Sequence, residues 1–396
     1  MEPERGTTTK VSRTEATFGR NGVSGAVEER PLIALFLPSL VSGGAERVTL
    51  HIAEGLVRQG IDVDLVLAKA TGAYLSQVPE GVNLVDLGAK RVLLSLTKLV
   101  KYLRDRRPAV LLSALAHTNL VALWAKALSG TETRVVVAVH STLSLSTRYS
   151  PRRRDRLVPW LTHMFYRQAS HVVAVSHGSA DDLVRLTRID PKLVDVIPNP
   201  VITDRLFEKS RQPVDLDWFS RDERRPILIT VGRLTAAKNY PLLLKAFWKL
   251  RESLDANLII LGDGEERSRL EKIVEDLDLA DHVHMPGYVD NPWAYMSKSD
   301  VFVLSSKWEG LPTVLVEALA LGLRVVSTDC EFGPRELLRD GELGFLVPVD
   351  DADKLAAGVQ KALDAEPPVL DRADLEEFRL DSAVRRYKEL LINGSK

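Results

Sequence analysis

The stretch LIALFLPSLVSGGAERVTLHIAEGLVRQ, residues 32–59, decides the fold class of this 396-residue chain. It opens on the continuous apolar run LIALFLP, which is typical of a strand buried on both faces of a parallel sheet. A pair of glycines follows, and beyond them apolar side chains recur every four positions, at Val48, Ile52 and Leu56. That spacing places them on one face of a helix. The stretch therefore predicts a strand, a turn and an amphipathic helix in succession.

The same strand–helix unit recurs along the chain in two series. The first series predicts strands at 32–38, 63–68, 83–87, 110–115, 134–140 and 171–176 and helices at 45–59, 92–106, 118–128, 155–169 and 178–187. The second predicts strands at 226–232, 256–262, 282–287, 300–306 and 324–329 and helices at 240–253, 265–277, 292–298 and 312–321. Repeated alternation of this kind indicates an α/β protein with two doubly wound, Rossmann-like parallel sheets.

This pattern divides the chain into segments. Residues 1–30 are polar and charged and are expected to form a disordered tail. Residues 31–205 and 206–375 form the two α/β domains, joined by the proline-rich, aperiodic segment 199–226, which we interpret as the linker. Residues 376–396 carry a terminal helix that could pack back on the first domain. Ligands bind at the carboxyl ends of parallel strands, so two facing sheets predict a site in the cleft between them.

The composition excludes several classes of protein. Hydrophobic residues make up 45% and charged residues 27% of the chain, as in a soluble globular enzyme and unlike a disordered or collagen-like protein. Cys330 is the single cysteine, which rules out an internal disulfide and fits a reducing compartment. The apolar runs fall short of the roughly 18 residues of a membrane-spanning helix, and the polar start lacks the apolar region of a secretory signal. We therefore expect a cytoplasmic location.

Charge is unevenly distributed along the chain. Residues 31–205 hold 22 basic and 14 acidic residues, whereas residues 206–396 hold 26 basic and 35 acidic ones. Two cationic amphipathic stretches lie in the first half, at 89–107 and 148–168, and the second contains Arg152, Arg153, Arg154 and Arg156. They predict peripheral contact with the anionic inner face of the cell membrane. The alternative is a pair of solvated surface helices. The whole chain is not basic enough to indicate a nucleic-acid binder.

Two motifs after predicted strands contain residues suited to a phosphorylated ligand. Gly43 and Gly44 would let the backbone approach an anion at a helix N-terminus, although a flexible turn would use the same residues. Arg233 and Lys238 lie in the loop of TVGRLTAAKNYPLLLKAF, residues 230–247, where two cations would suit a diphosphate. The alternative for this pair is a solvated loop.

A pair of glutamates occurs in SSKWEGLPTVLVEALALG, residues 305–322. Glu309 ends a strand–loop step, and Glu317 lies on the following helix among apolar neighbours, where a carboxylate is costly without a partner. Sugar or ribose hydroxyls would provide one, and an internal salt bridge is the alternative. His140, at the carboxyl end of a predicted strand, is either a ligand-binding residue or a hydrogen-bonded core histidine.

Other motifs give weaker signals. In IILGDGEE, residues 259–266, Arg267 stands where a dinucleotide fingerprint needs its third glycine, so no nicotinamide site is predicted. Asp62 and Asp64 form an Asp-x-Asp sequence at the start of a strand, where a structural role is expected. The scattered histidines and the absence of a cysteine cluster give no indication of a structural zinc site.

In combination, these motifs resemble the retaining glycosyltransferases of family four, which have the GT-B fold. The resemblance covers essentially the whole chain from about Pro31, through GGAERV, VAVHS, VAVSHGSADDL, VIPNPV, VGRLTAAKNYPLLLKAF, LIILGDGEE, MPGY, SSKWEGLPTVLVEALALG and GPRELLRDGELGFLVPVDD. The last of these is similar to a bacterial subgroup that builds lipid-linked glycans and surface polysaccharides. The loop LTAA before Lys238 departs from the family, in which an acidic residue or glycine often precedes the lysine.

The resemblance implies a role for each motif residue. Arg233 and Lys238 would neutralise the diphosphate of a nucleotide sugar. Glu309 would face the hydroxyls of the donor sugar at the catalytic centre, and Glu317 would hold the ribose. The remaining positions would contact the diphosphate, the sugar or the base, namely Gly43, Gly44, His140, Tyr288, Val289, Gly310, Leu311 and Pro312.

The function implied is transfer of a sugar from a nucleotide-diphosphate sugar, expected to be a UDP-sugar, to a lipid-linked or glycan acceptor. No metal or other cofactor is expected, because the two cations and the helix dipoles can stabilise the leaving diphosphate. Sugar selectivity would depend on contacts around His140, Glu309 and Arg335. Two alternatives stay open: a sugar-nucleotide epimerase or phosphorylase on the same fold, and a non-catalytic protein that binds a nucleotide sugar or a membrane.

Overall fold

Two parallel β-sheets, one in each half of the chain, organise the computed structural model. The structure describes residues 31–41, 43–140, 142–148, 158–219, 225–371 and 373–394. The predicted tail at 1–30 and the arginine cluster at 152–156 lie outside the described residues.

The amino-terminal sheet has seven strands: β1 Leu32–Leu37, β2 Asp62–Leu67, β3 Val82–Asp86, β4 Val110–Ala114, β5 Arg134–Val139, β6 His171–Ala174 and β7 Val194–Val196. The helices of this half are α1 Gly44–Arg58, α2 Leu96–Arg106, α3 Ala116–Ser129, α4 Leu143–Arg148, α5 Val158–Phe165 and α6 His177–Thr187. The strands are all parallel and lie in the order β3-β2-β1-β4-β5-β6-β7. The order reverses at β1, as in a doubly wound fold.

The carboxyl-terminal sheet has six strands: β8 Ile227–Val231, β9 Asn257–Leu261, β10 Val283–Gly287, β11 Val301–Leu304, β12 Arg324–Thr328 and β13 Phe345–Val347. The helices after α6 are α7 Asp204–Ser210, α8 Tyr240–Leu250, α9 Arg267–Asp276, α10 Pro292–Met296, α11 Thr313–Ala320, α12 Pro334–Leu337, α13 Ala352–Asp364 and α14 Leu380–Lys388. These strands are also parallel, in the order β10-β9-β8-β11-β12-β13. The predicted fold class, two doubly wound parallel sheets, is confirmed.

Burial on both faces explains the continuous apolar strands. Along β1, the side chains of Ile33, Leu35 and Leu37 join one apolar cluster, and those of Ala34 and Phe36 join another. Successive side chains of a strand point to opposite faces, so each face of the sheet has its own helical layer. Central strands such as β1, β5 and β11 therefore read as nearly continuous apolar runs.

The structure contains elements that the sequence pattern did not indicate. The edge strands β7 and β13 have three residues each, too few for a period to be visible. The segment interpreted as a linker contains α7, which packs against α10. In α7, Leu206 and Ser210 are the buried residues, so there was little apolar periodicity to detect. The predicted helix at 92–106 begins as a 3₁₀ turn, Val92–Ser95, before α2.

The final helix, α14, packs against α1 of the amino-terminal domain. Val384 is 1% exposed and lies against Gly55 of α1, where any Cβ would collide with it. The buried side chains of this helix and the π-helical turn after it join the core beneath β1, namely Leu380, Ala383, Val384, Tyr387, Leu390 and Leu391. The end of the chain is therefore part of the amino-terminal core.

The chain passes between the domains twice, and the two passages lie side by side. The backbone N–H groups of Val201 and Ile202 both donate to the carbonyl of Phe378, and that of Leu380 donates to the carbonyl of Ile202. Ile202 and Arg379 form a parallel bridge. The connection between the domains is thus a short two-stranded ribbon.

Asp64 of the Asp-x-Asp sequence is fully buried under the amino-terminal sheet. Its carboxylate accepts hydrogen bonds from Tyr102 (2.7 Å), Asn83 (2.7 Å) and Arg106 (3.1 Å). Burial raises the pKa of this carboxyl, but these hydrogen bonds, with that of Arg106 the strongest, bring the pKa below its ordinary value. Asp64 therefore holds α2 against β2.

Candidate functional site

A cleft of about 670 Å³ opens at the carboxyl ends of β1, β8 and β9, with walls from both domains. One wall is formed by α1 and the loop before it, and the other by the loops after β8, β9 and β10 together with the first turns of α11. Among the lining residues are seven of the predicted site residues, namely Gly43, Gly44, Arg233, Lys238, Tyr288, Val289 and Glu317. The carboxyl ends of parallel strands are where ligands bind in open α/β sheets.

Lys238 and Glu309 form a close ion pair beside this cleft. Lys238 Nζ donates to Glu309 Oε1 at 2.6 Å, and the Ser306 hydroxyl donates to the same oxygen at 2.6 Å. The two side chains are 20% and 11% exposed. The hydroxyl of Thr142, in the amino-terminal domain, donates to the Glu309 carbonyl at 2.6 Å. The loop that continues through Gly310, Leu311 and Pro312 to α11 therefore starts at a contact between the domains.

Arg233 is the more exposed of the two predicted cations, with 74% of its side chain accessible, and its guanidinium lies 3.7 Å from Glu265. The glycines of IILGDGEE lie directly against the loop that carries it. Gly262 has φ +138°, and a Cβ there would collide with the carbonyl of Gly232, while a Cβ at Gly264 would come within 2.5 Å of the Leu234 carbonyl. These glycines thus serve the close approach of two loops.

Glu317 lies at the floor of the cleft and is 5% exposed. Arg47 of α1 reaches across from the amino-terminal domain, with its Nη1 atom 4.0 Å from Glu317 Oε1. The Arg47 guanidinium also donates to the Tyr74 hydroxyl at 3.2 Å and lies 5.6 Å from the Tyr74 ring and 5.5 Å from the Trp293 ring. Burial raises the pKa of Glu317 to about 7, against the opposing effect of Arg47.

Arg47 lies within the GGAERV motif, but the sequence pattern assigns it no role. A signal was available, since Arg47 stands one turn into the helix that begins at the glycine pair. A side chain in the first turn of such a helix lies near the strand ends where ligands bind.

His140 lies at the end of β5 but lines a separate small cavity, of about 10 Å³, with residues that include Thr49 and Tyr387. Burial lowers its pKa to about 4, with the side chain of Asn199 acting in the opposite direction. The imidazole is therefore neutral near pH 7. Its predicted contact with the donor sugar stays a prediction.

Arg335, expected to influence sugar selectivity, is bonded to two carboxylates. It donates to Asp329 at 3.1 Å and to Asp340 at 3.0 Å. One residue further along α12, the carboxylate of Glu336 accepts the backbone N–H groups of His177 (3.0 Å) and Gly178 (3.4 Å) at the start of α6. This is a further contact between the domains, and an anion is favourable at that helix end.

Within the described parts of the chain, no group of three or more metal-ligating side chains comes together. In the same residues, no helix combines the length and the apolar composition that a bilayer crossing requires.

Comparison with solved structures supports the fold. A glycosyltransferase from Rickettsia africae aligns with a TM-score of 0.75 at 17% identity, over 93% of this chain and 99% of that one. Anabaena HepE in complex with UDP-glucose aligns with a TM-score of 0.73 at 20% identity, over 92% of this chain and 100% of that one. These neighbours have the same two-domain GT-B architecture.

Sequence relatives and family models agree with one another. The model described as Glycosyltransferase Family 4 matches residues 42–205, and that of the Glycosyl transferases group 1 matches residues 217–377. The N-acetylgalactosamine-N,N'-diacetylbacillosaminyl-diphospho-undecaprenol 4-alpha-N-acetylgalactosaminyltransferase of Campylobacter jejuni is 30% identical over 84% of this chain and 90% of its own length. The lipopolysaccharide core biosynthesis glycosyltransferase LpsE of Rhizobium meliloti is 28% identical over 81% of this chain and 85% of its own. The chain therefore belongs to glycosyltransferase family 4.

Proposed function

We propose that this protein transfers a sugar from a UDP-sugar to a lipid-linked glycan acceptor, with retention of anomeric configuration and without a metal ion. The observation that carries the proposal is the cleft, which gathers Arg233, Lys238 and Glu317 opposite the glycine pair before α1. Cations, a buried carboxylate and a helix N-terminus match the diphosphate and the hydroxyls of a nucleotide sugar. The acceptor class is proposed from the Campylobacter jejuni relative, whose name specifies a diphospho-undecaprenol substrate.

The proposed reaction breaks the bond between the anomeric carbon and the β-phosphate oxygen and forms a bond from that carbon to an acceptor oxygen. Negative charge develops on the departing diphosphate, where Arg233 and Lys238 would stabilise it. The acceptor proton passes to the leaving phosphate oxygen on the same face of the sugar, so the protein need not supply a general base. Glu309, 2.6 Å from Lys238, would then bind donor sugar hydroxyls and keep the lysine directed into the cleft.

A donor screen tests the proposed function. Purified protein is incubated with single nucleotide sugars and a crude bacterial lipid extract, and released nucleoside diphosphate is measured. We expect release that requires both a UDP-sugar and the extract and that persists after chelation of divalent metals, with sugar recovered on lipid in the α configuration. Conversion of the donor without acceptor would instead indicate an epimerase, and dependence on free phosphate a phosphorylase. Binding of donor with no product from any acceptor would contradict catalysis.

We also propose that one face of the amino-terminal domain contacts an anionic membrane. Exposed apolar side chains occur on α3, on the 3₁₀ turn Val92–Ser95 and on α5. Both the turn and α5 contact α3. The exposed side chains are Leu93 and Leu94, each 60% exposed, Leu128 (59%), Trp160 (56%) and Met164 (42%). Lys90, Arg91, Lys98 and Lys101 flank the leucine pair in the sequence. Apolar side chains among cations suit the boundary between lipid headgroups and acyl chains.

Vesicle sedimentation tests this contact. Replacing Leu93 and Leu94 with Gln should weaken binding to phosphatidylglycerol vesicles at least about tenfold, because each buried leucine contributes about 1.5–3 kcal/mol. Binding to phosphatidylcholine vesicles should be weak for all variants. Trp248, 40% exposed on α8 of the other domain, provides the control, and Trp248→Gln should bind like the unmodified chain. Equal binding by the leucine variant would contradict the proposed face.

A further inference from the structure

We infer that Arg47, a residue of the amino-terminal domain, positions the carboxylate of Glu317 in the carboxyl-terminal domain to receive the ribose hydroxyls of the donor. This inference rests on the proposed function, in which Glu317 binds the ribose.

The Arg47 guanidinium is held on several sides. The Tyr74 hydroxyl accepts one of its N–H groups, and the rings of Tyr74 and Trp293 lie 5.6 and 5.5 Å from its central carbon. Aromatic faces attract a guanidinium and restrict its movement. With 29% of its side chain exposed, Arg47 is directed at Glu317 from across the cleft. It therefore holds a positive charge in a fixed position beside the carboxylate of Glu317, whose side chain is 6% exposed.

Glu317 needs this charge because its surroundings, apart from the Trp293 side chain, which also lowers its pKa, are unfavourable to an anion. Its neighbours on α11, Leu315, Val316, Ala318 and Leu319, are buried and apolar. Burial moves its pKa to about 7, close to the pH at which an enzyme works. A carboxylate can accept hydrogen bonds from two ribose hydroxyls, whereas the protonated acid loses part of that capacity. The pair thus determines the fraction of protein molecules in which Glu317 is ionised and able to accept both ribose hydroxyls.

Other titratable groups face the same pair. Tyr74, Tyr288 and Asp290 interact electrostatically with Arg47, and so does His51 from its own helix. Burial lowers the pKa of His51 and raises that of Tyr288, so both are neutral near pH 7. Arg233, Lys238 and Asp263 line the same cleft. For Glu317 itself, Arg47 is the charged neighbour that lowers the pKa.

Because the pair joins the two domains, recognition of the ribose depends on their closure. With the domains apart, Arg47 would be withdrawn from Glu317, so the pair that receives the ribose is assembled only when the domains meet.

Calorimetry with UDP between pH 6 and 9 tests the inference, with ADP and GDP as parallel probes. Binding should strengthen as pH rises through about 7, because the carboxylate is the receptive form. Arg47→Gln should move this midpoint upward; a rise of about one unit makes binding about fivefold weaker at pH 7 and nearly unchanged at pH 9. Arg47→Lys, which keeps the charge, should return the midpoint towards that of the unmodified chain. Arg58→Gln, on the exposed end of the same helix, should leave the profile unchanged.

Two further arms separate positioning from direct contact. Glu317→Gln should abolish the effect of Arg47→Gln and leave only the pH dependence that comes from the terminal phosphate of UDP, which ionises at about pH 6. 2′,3′-Dideoxyuridine diphosphate, which lacks both ribose hydroxyls, should bind the unmodified chain and Arg47→Gln with equal affinity. A weakening by Arg47→Gln that is the same at every pH, or stronger binding by that variant, would overturn the inference while leaving the proposed function intact. Failure of the unmodified chain to bind any of the three nucleotides would overturn both.

Discussion

Replacing Lys238 with Met is expected to lower the rate of sugar transfer about 100- to 1,000-fold, the usual effect of removing one group that stabilises charge in a transition state. The substitution keeps the aliphatic stem but removes the ammonium group, which lies 2.6 Å from Glu309. Glu309 keeps its hydrogen bond from Ser306, so the loop is expected to stay folded. The measurement is the initial rate of nucleoside diphosphate release with the donor and acceptor found in the screen.

Lys249 provides the matched control for this substitution. It is also an ion-paired lysine of the carboxyl-terminal domain, bonded to Asp353, and it lies on α8 away from the residues that line the cleft. Lys249→Met should transfer sugar at a rate within about twofold of the unmodified chain, since isolated surface pairs contribute about 1 kcal/mol or less. Equal rates for the two variants would refute the assignment of Lys238 to the diphosphate.

Replacing Val384 with Asp is expected to destabilise the folded protein by about 4 kcal/mol or more, because an unpaired charge would be placed in an apolar core. Val384 is 1% exposed and lies against Gly55 on α1, with buried Tyr387 and Leu391 nearby in the same cluster. A loss of this size is a large part of the stability of an ordinary domain. Urea unfolding followed by circular dichroism gives the comparison.

Arg385→Asp introduces the same side chain at the adjacent, exposed position of α14. It should cost less than about 1 kcal/mol, since a surface substitution disturbs no buried contact. If both variants unfolded at the same urea concentration, the conclusion that α14 packs into the amino-terminal core would be contradicted. A variant of Val384 that fails to accumulate in folded form, beside a normal Arg385 variant, gives the same answer as a large shift.

The fold class could be predicted because burial on both faces leaves a direct trace in the sequence. A strand that is covered on both faces, such as β1, reads as a continuous apolar run. In the long helices that were predicted, apolar residues recur about every four positions. Elements without that trace are not predicted: β13 has three residues, and α7 buries little more than Leu206. For the same reason the segment 199–226 was interpreted as a linker, although α7 lies within it. The helix α13 is also not predicted, although its buried Leu355, Val359 and Ala362 lie at helical spacing.

The residues of the candidate site were found through their motifs, but their partners could not be. Lys238 was assigned to a diphosphate and Glu309 to a sugar, whereas the structure pairs them with each other. Glu317 was expected to need a partner, and that partner, Arg47, lies 270 residues earlier in the chain on the other domain. Contacts across so long a separation follow from how the domains meet, which local patterns do not contain.

The ribbon formed by the two passages between the domains has a mechanical consequence. Two passages that are bonded to each other, as Ile202 and Phe378–Leu380 are, restrict the domains to movements that both passages can follow together. Opening and closing of the cleft should therefore return Arg47 to the same alignment with Glu317.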